Sequence, residues 1–160
     1  MVRVLFVCLG NICRSPMAEA IFRNMVAQKN LSTYIEVDSA GTALWHSGKP
    51  PHPGTREKLA EYEISYEGMT ARQILQGDFE RFDYIITMDD SNMENIQSEY
   101  EISEQVVVKK LLDFVEESAE INVPDPYYTG DFDYTYELIN EACKDLLNYI
   151  LKKHQIKVRG

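Results

Sequence analysis

The sequence predicts an α/β fold, a doubly wound four-stranded parallel sheet flanked by helices. Apolar, β-branched segments typical of strands alternate along the chain with segments whose apolar residues recur at helical spacing. The first of these segments is almost continuously apolar, as in a strand that is covered on both faces. The chain has 160 residues, of which 44% are hydrophobic and 26% are charged, and we expect residues 1–160 to form a single domain.

The predicted elements follow one another in a regular order. Residues 3–8 form the first strand, and Ser15 followed by Pro16 marks the start of the first helix, because a serine oxygen can cap a helix that begins with proline. The inward face of this helix carries Met17, Ile21 and Met25. Further strands are predicted at residues 34–37, 83–88 and 106–112, and further helices at 55–63, 91–96 and 132–153. In such sheets ligands bind beyond the carboxyl ends of the strands, where the loop after the first strand lies.

The composition excludes several classes of function. A formal net charge of −10 argues against binding to nucleic acid or to an anionic membrane, and basic residues cluster only near the C-terminus, at Lys152, Lys153, Lys157 and Arg159. The apolar run of residues 4–9 is too short for a signal peptide core or a membrane span. The three cysteines are an odd number, which indicates free thiols in a reducing compartment. We therefore expect a cytoplasmic protein without a membrane anchor, and we expect it to be a monomer or a weak homodimer.

Residues 7–16, V-C-L-G-N-I-C-R-S-P, form the loop between the first strand and the first helix. Two cysteines in one loop could belong to a zinc site, but such a site needs two further cysteine or histidine ligands. The other cysteine and histidine residues do not form a second pair at the spacing of zinc ligands. They are Cys143, His46, His52 and His154. A redox pair of the thioredoxin type would need C-x-x-C spacing, which Cys8 and Cys13 do not have. We therefore expect no metal and no other cofactor.

The same loop has the composition of an anion-binding cradle. Gly10 and Asn11 tolerate left-handed backbone angles, so the chain can curl with its N–H groups pointing at one centre, close to the free N–H groups of the following helix. Arg14 adds a planar guanidinium that can bind two phosphate oxygens and stabilise the charge of a transition state. The predicted phosphate-binding residues are Leu9, Gly10, Asn11, Ile12, Cys13 and Arg14.

Cys8 lies at the mouth of this cradle, at the end of the first strand. The groups that attract phosphate also favour thiolate over thiol, and the thiolate can attack phosphorus to form a phosphocysteine. Ser15 could donate a hydrogen bond to the Cys8 sulfur and help it leave in a second step, and this is compatible with a role as a helix cap. A strand end with buried thiols is the simplest alternative. The C-x5-R-S spacing on a strand, turn and helix junction favours phosphate chemistry instead.

The segment V-C-L-G-N-I-C-R-S-P-M-A-E-A resembles the phosphate loop of the low molecular weight protein tyrosine phosphatases of bacterial type. Further segments of this family follow in the same order, namely D-S-A-G-T-A-L-W, A-R-Q, Y-I-I-T-M-D-D-S-N and V-P-D-P-Y-Y. The resemblance covers essentially the whole chain and implies a flavodoxin-like fold of the phosphotyrosine phosphatase I-like type. It implies hydrolysis of protein phosphotyrosine and aryl phosphates, with Cys8 as nucleophile, Arg14 as phosphate clamp and Asp125 as general acid and base. An acid is useful because a phenol, with a pKa of about 10, leaves slowly as an anion.

The resemblance also implies which residues surround the phosphate. An apolar slot for a phenyl ring would be lined by Leu9, Ile12, Trp45, Tyr127 and Tyr128. Trp45 could instead be a core residue, but its neighbours in the sequence are typical of a loop. Hydrogen bonds that support the loop in the family correspond to Asn11, Ser15 and Ser39. In mammalian members a histidine joins them, whereas that position is Met69 or Thr70 here.

Cys13 resembles the second loop cysteine of the family, which can form a reversible disulfide with Cys8 and protect it from over-oxidation. This role requires a reactive and accessible Cys8. We expect inactivation by peroxide to be reversed by dithiothreitol if the disulfide forms.

Three other functions share features with this pattern. An arsenate reductase of this fold would need a further cysteine pair, and only Cys143 is available. A phosphoarginine phosphatase of the same family has threonine in place of Ile12 and lacks the equivalent of Tyr128. A phosphocarrier that accepts phosphate without turnover would have no use for Asp125. These comparisons favour phosphotyrosine as the substrate.

Overall fold

A computed structural model of the chain describes residues 1–158, so Arg159 of the basic C-terminal cluster lies outside the described residues. The strands are β1 (Val2–Cys8), β2 (Ile35–Gly41), β3 (Tyr84–Thr87) and β4 (Val107–Lys110). The helices are α1 (Arg14–Gln28), α2 (Pro53–Glu61), α3 (Asp78–Arg81), α4 (Asp90–Glu99), α5 (Pro126–Thr129) and α6 (Phe132–Lys153). A short 3-10 helix follows β4 at Leu111–Phe114.

The strands form one parallel sheet of four in the order β2-β1-β3-β4. β1 lies between β2 and β3, and its residues 4–7 are completely buried. Val4 and Phe6 belong to the core that includes side chains of α1 and α6, whereas Leu5 and Val7 belong to the core on the opposite face, with side chains of α3 and α4. The predicted doubly wound sheet is therefore confirmed, and the carboxyl end of β1 lies at its switch point.

The N-terminus of α1 differs from the prediction. The helix begins at Arg14, and Cys13 occupies the N-cap position without a side-chain hydrogen bond. The prediction that Ser15 caps the helix is therefore wrong, because Ser15 lies inside the first turn and its hydroxyl contacts Cys8 and Asn11 instead. A proline in the first turn is tolerated, since the N–H groups of that turn have no partners within the helix.

α2 starts before its predicted first residue because of an uncommon cap. The Nδ1 atom of His52 accepts a hydrogen bond from the Gly54 N–H at 3.0 Å, and Pro53 follows as the first helical residue. The helix ends at Glu61, and Glu63 already has a left-handed φ of 58°. The prediction of a helix through residue 63 is therefore wrong.

β4 and the short helices show where apolar pattern misleads. The chain leaves β4 after Lys110, so the prediction of a strand through residue 112 is wrong. Leu111 and Leu112 are apolar because they are buried in the core beneath α6 and not because they continue the strand. α3 and α5 each have four residues, too few to show a helical repeat, and the sequence did not predict them.

α6 closes the face of the sheet that α1 covers. Its N-cap residue is Asp131, whose side chain accepts a hydrogen bond from the Tyr134 N–H at 2.9 Å. The buried side of α6 packs in the same core as α1 and β1. Within residues 1–158, no helix combines the length and the apolar character that a membrane crossing requires.

Candidate active site

The loop between β1 and α1 is buried although it is rich in polar groups. The side chains that are at most 3% exposed include Cys8, Asn11, Arg14 and Ser15. Asn11 has a φ of 56° and is the loop residue that adopts the predicted left-handed conformation. Gly10 serves a different purpose, because a Cβ atom at this position would lie 2.9 Å from Cδ2 of His46. The absence of a side chain at Gly10 therefore allows His46 to pack over the loop.

Asn11 connects the loop to its surroundings with three hydrogen bonds. Its Nδ2 donates to Ser15 Oγ at 2.7 Å and to Ser39 Oγ at 2.9 Å, while its Oδ1 accepts from the backbone N–H of Arg72 at 3.0 Å. Ser15 Oγ lies 3.0 Å from Cys8 Sγ. The structure thus places the three residues expected to support the loop in one hydrogen-bonded group that reaches the sulfur.

Arg14 is buried at the start of α1, where its guanidinium faces two carboxylates. Nη1 donates to Asp89 Oδ2 at 2.6 Å and to the Val123 carbonyl at 2.9 Å, and Nη2 lies 3.3 Å from Asp125 Oδ2. The buried Nε has no hydrogen-bond partner among residues 1–158. Burial by itself would lower the pKa of Arg14, but Cys8 and the two aspartates raise it above its ordinary value. Arg14 therefore stays charged and is held in one orientation.

Asp89 is a site residue that the sequence reasoning missed. It follows β3 and caps α4, since its Oδ1 accepts a hydrogen bond from the Asn92 N–H at 2.8 Å. Its other carboxylate oxygen is thereby directed at Arg14. The available signal was an acidic pair, Asp89 and Asp90, at the carboxyl end of the strand beside β1, because such ends lie at one edge of a parallel sheet.

Asp125 comes from far along the chain to the same edge of the sheet. It caps α5, with Oδ1 accepting a hydrogen bond from the Tyr127 N–H at 3.1 Å, while Oδ2 faces Arg14. Its side chain is 20% exposed and lines the cavity next to Cys8. This cap fixes the direction of the Asp125 carboxylate.

A cavity of about 150 Å³ opens beside Cys8. All predicted slot residues line it, namely Leu9, Ile12, Trp45, Tyr127 and Tyr128. Trp45 is 66% exposed, which rules out a place in the core. His46 also lines the cavity, with its ring centroid 6.2 Å from that of Tyr127, and the sequence reasoning did not include it.

The thiols of the chain have different surroundings. Cys8, Cys13 and Cys143 are all buried and free. Burial raises the pKa of Cys13 to about 12, and the nearby Cys8 and Asp125 add to the shift. Burial within α6 also raises the pKa of Cys143. In the part of the chain that the structure describes, no group of three or more His, Cys, Asp or Glu side chains is arranged to hold a metal ion.

Asn11, Ser15 and Ser39, which support the loop, have no fourth side-chain partner at residues 69–70 of the described chain, the position that the resemblance indicated. Met69 and Thr70 line a small cavity with Asn11 and Ser39, but neither has a side-chain hydrogen bond to them in residues 1–158. Ser39 Oγ instead donates to Glu19 Oε1 at 2.6 Å. Sequence spacing offered a weak signal for Glu19, which lies one helical turn after Ser15 on α1.

Comparison with known proteins identifies the family. The sequence model described as low molecular weight phosphotyrosine protein phosphatase matches residues 3–156. The chain belongs to this family. The resemblance found in the sequence segments is therefore confirmed.

Members of the phosphatase family from bacteria are similar over their whole length. The chain is 51% identical over 156 residues to the low molecular weight protein-tyrosine-phosphatase YfkJ of Bacillus subtilis, which covers 98% of this chain and 100% of the relative. It is 45% identical over 159 residues to the phosphatase PtpA of Staphylococcus epidermidis, covering 99% and 100%. These values confirm a member of the bacterial type.

Solved structures confirm the fold. The crystal structure of YfkJ from Bacillus subtilis matches with a TM-score of 0.93 at 52% identity, covering 96% of each chain. The crystal structure of DARP, drosophila arginine phosphatase, matches with a TM-score of 0.83 at 34% identity, covering 92% of this chain and 96% of that chain. The scaffold is therefore that of the low molecular weight phosphatases, and the residues at the cavity must distinguish between substrates.

Proposed function

We propose that this chain hydrolyses phosphotyrosine in proteins, and other aryl phosphates, through a phosphocysteine intermediate. The observation that carries the proposal is the convergence of three groups at one cavity. Cys8 and Asp125 line the cavity, and the buried Arg14 contacts Asp125. The names of the bacterial relatives, protein-tyrosine-phosphatases, support the same reaction.

The first step transfers the phosphoryl group to sulfur. The phosphate binds in the loop of residues 9–14, at the N-terminus of α1, where the Nε of Arg14 is a buried donor without a partner among residues 1–158. Cys8 Sγ attacks phosphorus while the bond from phosphorus to the tyrosine oxygen breaks, and Asp125 donates a proton to that oxygen.

The second step releases phosphate. Asp125, now ionised, takes a proton from a water molecule that attacks phosphorus, and the electron pair of the phosphorus–sulfur bond returns to Cys8. The hydroxyl of Ser15, 3.0 Å from the sulfur, stabilises the departing thiolate. Asp89 keeps the guanidinium of Arg14 oriented through both steps.

The cavity favours a flat aromatic phosphate ester. Trp45 and Tyr127 provide aromatic walls, and Leu9 and Ile12 provide aliphatic ones. A phenyl ring fills such a slot and carries its phosphate down to Cys8. A phosphoserine side chain is shorter and leaves the aromatic walls without contact.

The alternative reactions find less support. An arsenate reductase would need a second reactive thiol pair, whereas Cys143 is fully buried in α6 and its pKa is raised by burial. A phosphoarginine phosphatase would have threonine where Ile12 lines the cavity. A non-turnover carrier would not need Asp125 in contact with Arg14.

Several further properties belong to the same proposal. We propose that the protein acts on a phosphotyrosine-containing protein in the cytoplasm, without binding nucleic acid or membrane, as a monomer or weak homodimer. Residues 1–160 would form one domain. Cys13 would protect Cys8 by a reversible disulfide, although the raised pKa of Cys13 makes its thiolate scarce and slows the pairing.

The test compares substrates and variants. We expect activity on p-nitrophenyl phosphate and on a phosphotyrosine peptide, and at least about 100-fold less on phosphoserine and phosphoarginine. Cys8→Ser should lose at least about 10⁴-fold in kcat and still bind inorganic phosphate. Asp125→Ala should lose about 10²- to 10³-fold on the peptide and less on p-nitrophenyl phosphate, whose leaving group needs less protonation.

Control variants separate chemistry from folding. Cys143→Ala removes another buried thiol, and Asp133→Ala removes an exposed aspartate of α6, so both should keep wild-type kcat. Full activity of Cys8→Ser would overturn the phosphocysteine mechanism. A preference for phosphoarginine would overturn the substrate assignment.

A further inference from the structure

Glu19 is a buried carboxylate without a part in the reaction steps above. It lies on α1 one turn after Ser15 and is 5% exposed. Its Oε1 accepts the hydrogen bond from Ser39, and its Oε2 forms an ion pair with Arg23 on the next turn. Burial raises the pKa of Glu19, while Ser39 and Arg23 favour the charged form. Since a buried carboxylate is costly unless it is paired, these two partners hold it in place.

The hydrogen bonds that start at Glu19 have a fixed direction. A carboxylate only accepts, so the Ser39 hydroxyl donates to Glu19 and its oxygen accepts from Asn11 Nδ2 at 2.9 Å. The amide of Asn11 cannot be reversed, because its Oδ1 accepts the backbone N–H of Arg72 at 3.0 Å. Glu19 and Arg72 therefore fix the two sides of Asn11.

The same direction continues to the sulfur. Asn11 Nδ2 also donates to Ser15 Oγ at 2.7 Å, so the hydrogen of Ser15 is free to point away from Asn11. The acceptors within reach are Cys8 Sγ at 3.0 Å and the Ala40 carbonyl at 3.3 Å. The Cys8 sulfur is closer, and a thiolate there is the stronger acceptor because it is charged.

We propose that Glu19, held by Arg23, is a positioning residue for Cys8 that acts through Ser39, Asn11 and Ser15. This inference rests on the proposed role of Cys8 as nucleophile. Glu19 contacts Ser39 from α1, whereas the resemblance indicated a partner at residues 69–70. Removal of Glu19 frees the Ser39 hydroxyl to rotate, loosens Asn11, and weakens the hydrogen bond from Ser15 to the sulfur.

Charged groups face Glu19 from three segments. Arg23 lies on its own helix, Asp38 on β2, and Glu67 and Arg72 on the segment between α2 and α3. Asp38 disfavours the ionised form of Glu19, but Asp38 is itself paired with Arg72 at 3.2 Å. Arg23 is therefore the cation that compensates Glu19.

The experiment measures the nucleophile directly. The rate of alkylation of Cys8 by iodoacetate, followed by mass spectrometry as a function of pH, reports the availability of the thiolate without using phosphatase activity. We expect Glu19→Ala to move the pH midpoint of this reaction upwards by about half a unit. Its kcat on p-nitrophenyl phosphate should fall about ten-fold with little change in KM, and Glu19→Gln, which can still accept from Ser39, should lose about three-fold.

A double-mutant cycle identifies the route. If Glu19 acts through Ser15, Glu19→Ala should cost less than about two-fold in kcat when Ser15 is already alanine. Equal costs of Glu19→Ala in both backgrounds would overturn the proposal. An unchanged alkylation midpoint in Glu19→Ala would overturn it as well.

Two further measurements exclude a merely structural effect. Glu141→Gln removes an exposed ion pair with Lys144 on α6 and should leave kcat and the midpoint unchanged. If Glu19→Ala does not fold, Glu19→Gln serves as the test, and a lowered melting temperature with wild-type kcat and midpoint would overturn the proposal. Failure of the phosphatase mechanism itself would be visible separately, as activity of Cys8→Ser.

Discussion

The floor and the rim of the cavity are built in opposite ways. The floor, residues 8–15, is largely buried, and its polar side chains are tied to one another and to neighbouring strands. The rim consists of Trp45, His46, Tyr127 and Tyr128, and its three large aromatic side chains are more than half exposed. Groups that stabilise changing charge must be oriented in advance, whereas groups that meet a protein substrate must stay accessible. The difference indicates that floor variants should impair turnover and rim variants should impair binding.

The largest effect should come from the floor. In Arg14→Lys we expect kcat on p-nitrophenyl phosphate to fall about 10³-fold, because an ammonium cannot contact Asp89 and present a planar fork to phosphate together. Steady-state kinetics measures this loss. Arg81→Lys, on an exposed arginine paired with Glu36, is the matched control and should behave as wild type. A loss below ten-fold in Arg14→Lys would contradict the assignment of the floor.

The rim should give an intermediate effect of a different kind. In Trp45→Ala we expect KM for a phosphotyrosine peptide to rise about ten-fold, because one aromatic wall is lost, while kcat changes less than about two-fold. Leu44→Ala is the control, since Leu44 is 61% exposed and does not line the cavity. A fall in kcat comparable to that of floor variants would remove the distinction between the two regions.

The smallest effect concerns His52, which joins floor and rim. Its backbone N–H donates to the Ile12 carbonyl, and its ring lies 6.0 Å from Tyr127 and stacks on Phe132. Burial and the nearby Arg56 lower the pKa of His52 below its ordinary value of 6.5. Between the folded pKa of His52 and pH 6.5, the unfolded chain binds more protons than the folded protein. The stability that His52 contributes is therefore complete above pH 6.5 and is lost as the pH falls through the folded pKa.

His52→Asn tests this dependence, because asparagine also caps a helix but does not titrate. Thermal unfolding at pH 7, 6 and 5 should show that the melting temperature of the wild type falls by a few degrees more than that of the variant as the pH is lowered. Parallel melting curves of the two proteins across this range would show that His52 does not contribute to acid sensitivity.

Most of the fold could be predicted because strand and helix periods are local properties. The apolar run before Cys8 predicted a strand covered on both faces, and residues 4–7 are indeed buried. The prediction failed where buried apolar residues do not belong to a strand, as at Leu111 and Leu112, which lie in the 3-10 helix after β4. The start of α1 was misplaced because the hydroxyl of Ser15 is used by the loop and not by the helix end.

Much of the candidate site could also be located from the sequence, for two reasons. The floor is contiguous, so its composition is visible in one segment. Asp125, Trp45 and Tyr127 were located only through the family resemblance, since a D-P turn or a loop tryptophan has no chemical meaning alone. Asp89, His46 and Glu19 were missed because their significance depends on which side chain each one meets.

The sequence by itself determined the kind of chemistry, because Cys8, Arg14 and the glycine and asparagine between them lie on one short loop that begins a helix. Only the tertiary structure decided how that loop is held. The partners of Arg14 and Asn11 come from the ends of β2 and β3 and from loops far along the chain, and Glu19 enters from α1. Parallel strands bring their carboxyl ends to one edge whatever their separation in the sequence, so these contacts are set by sheet topology and not by local pattern.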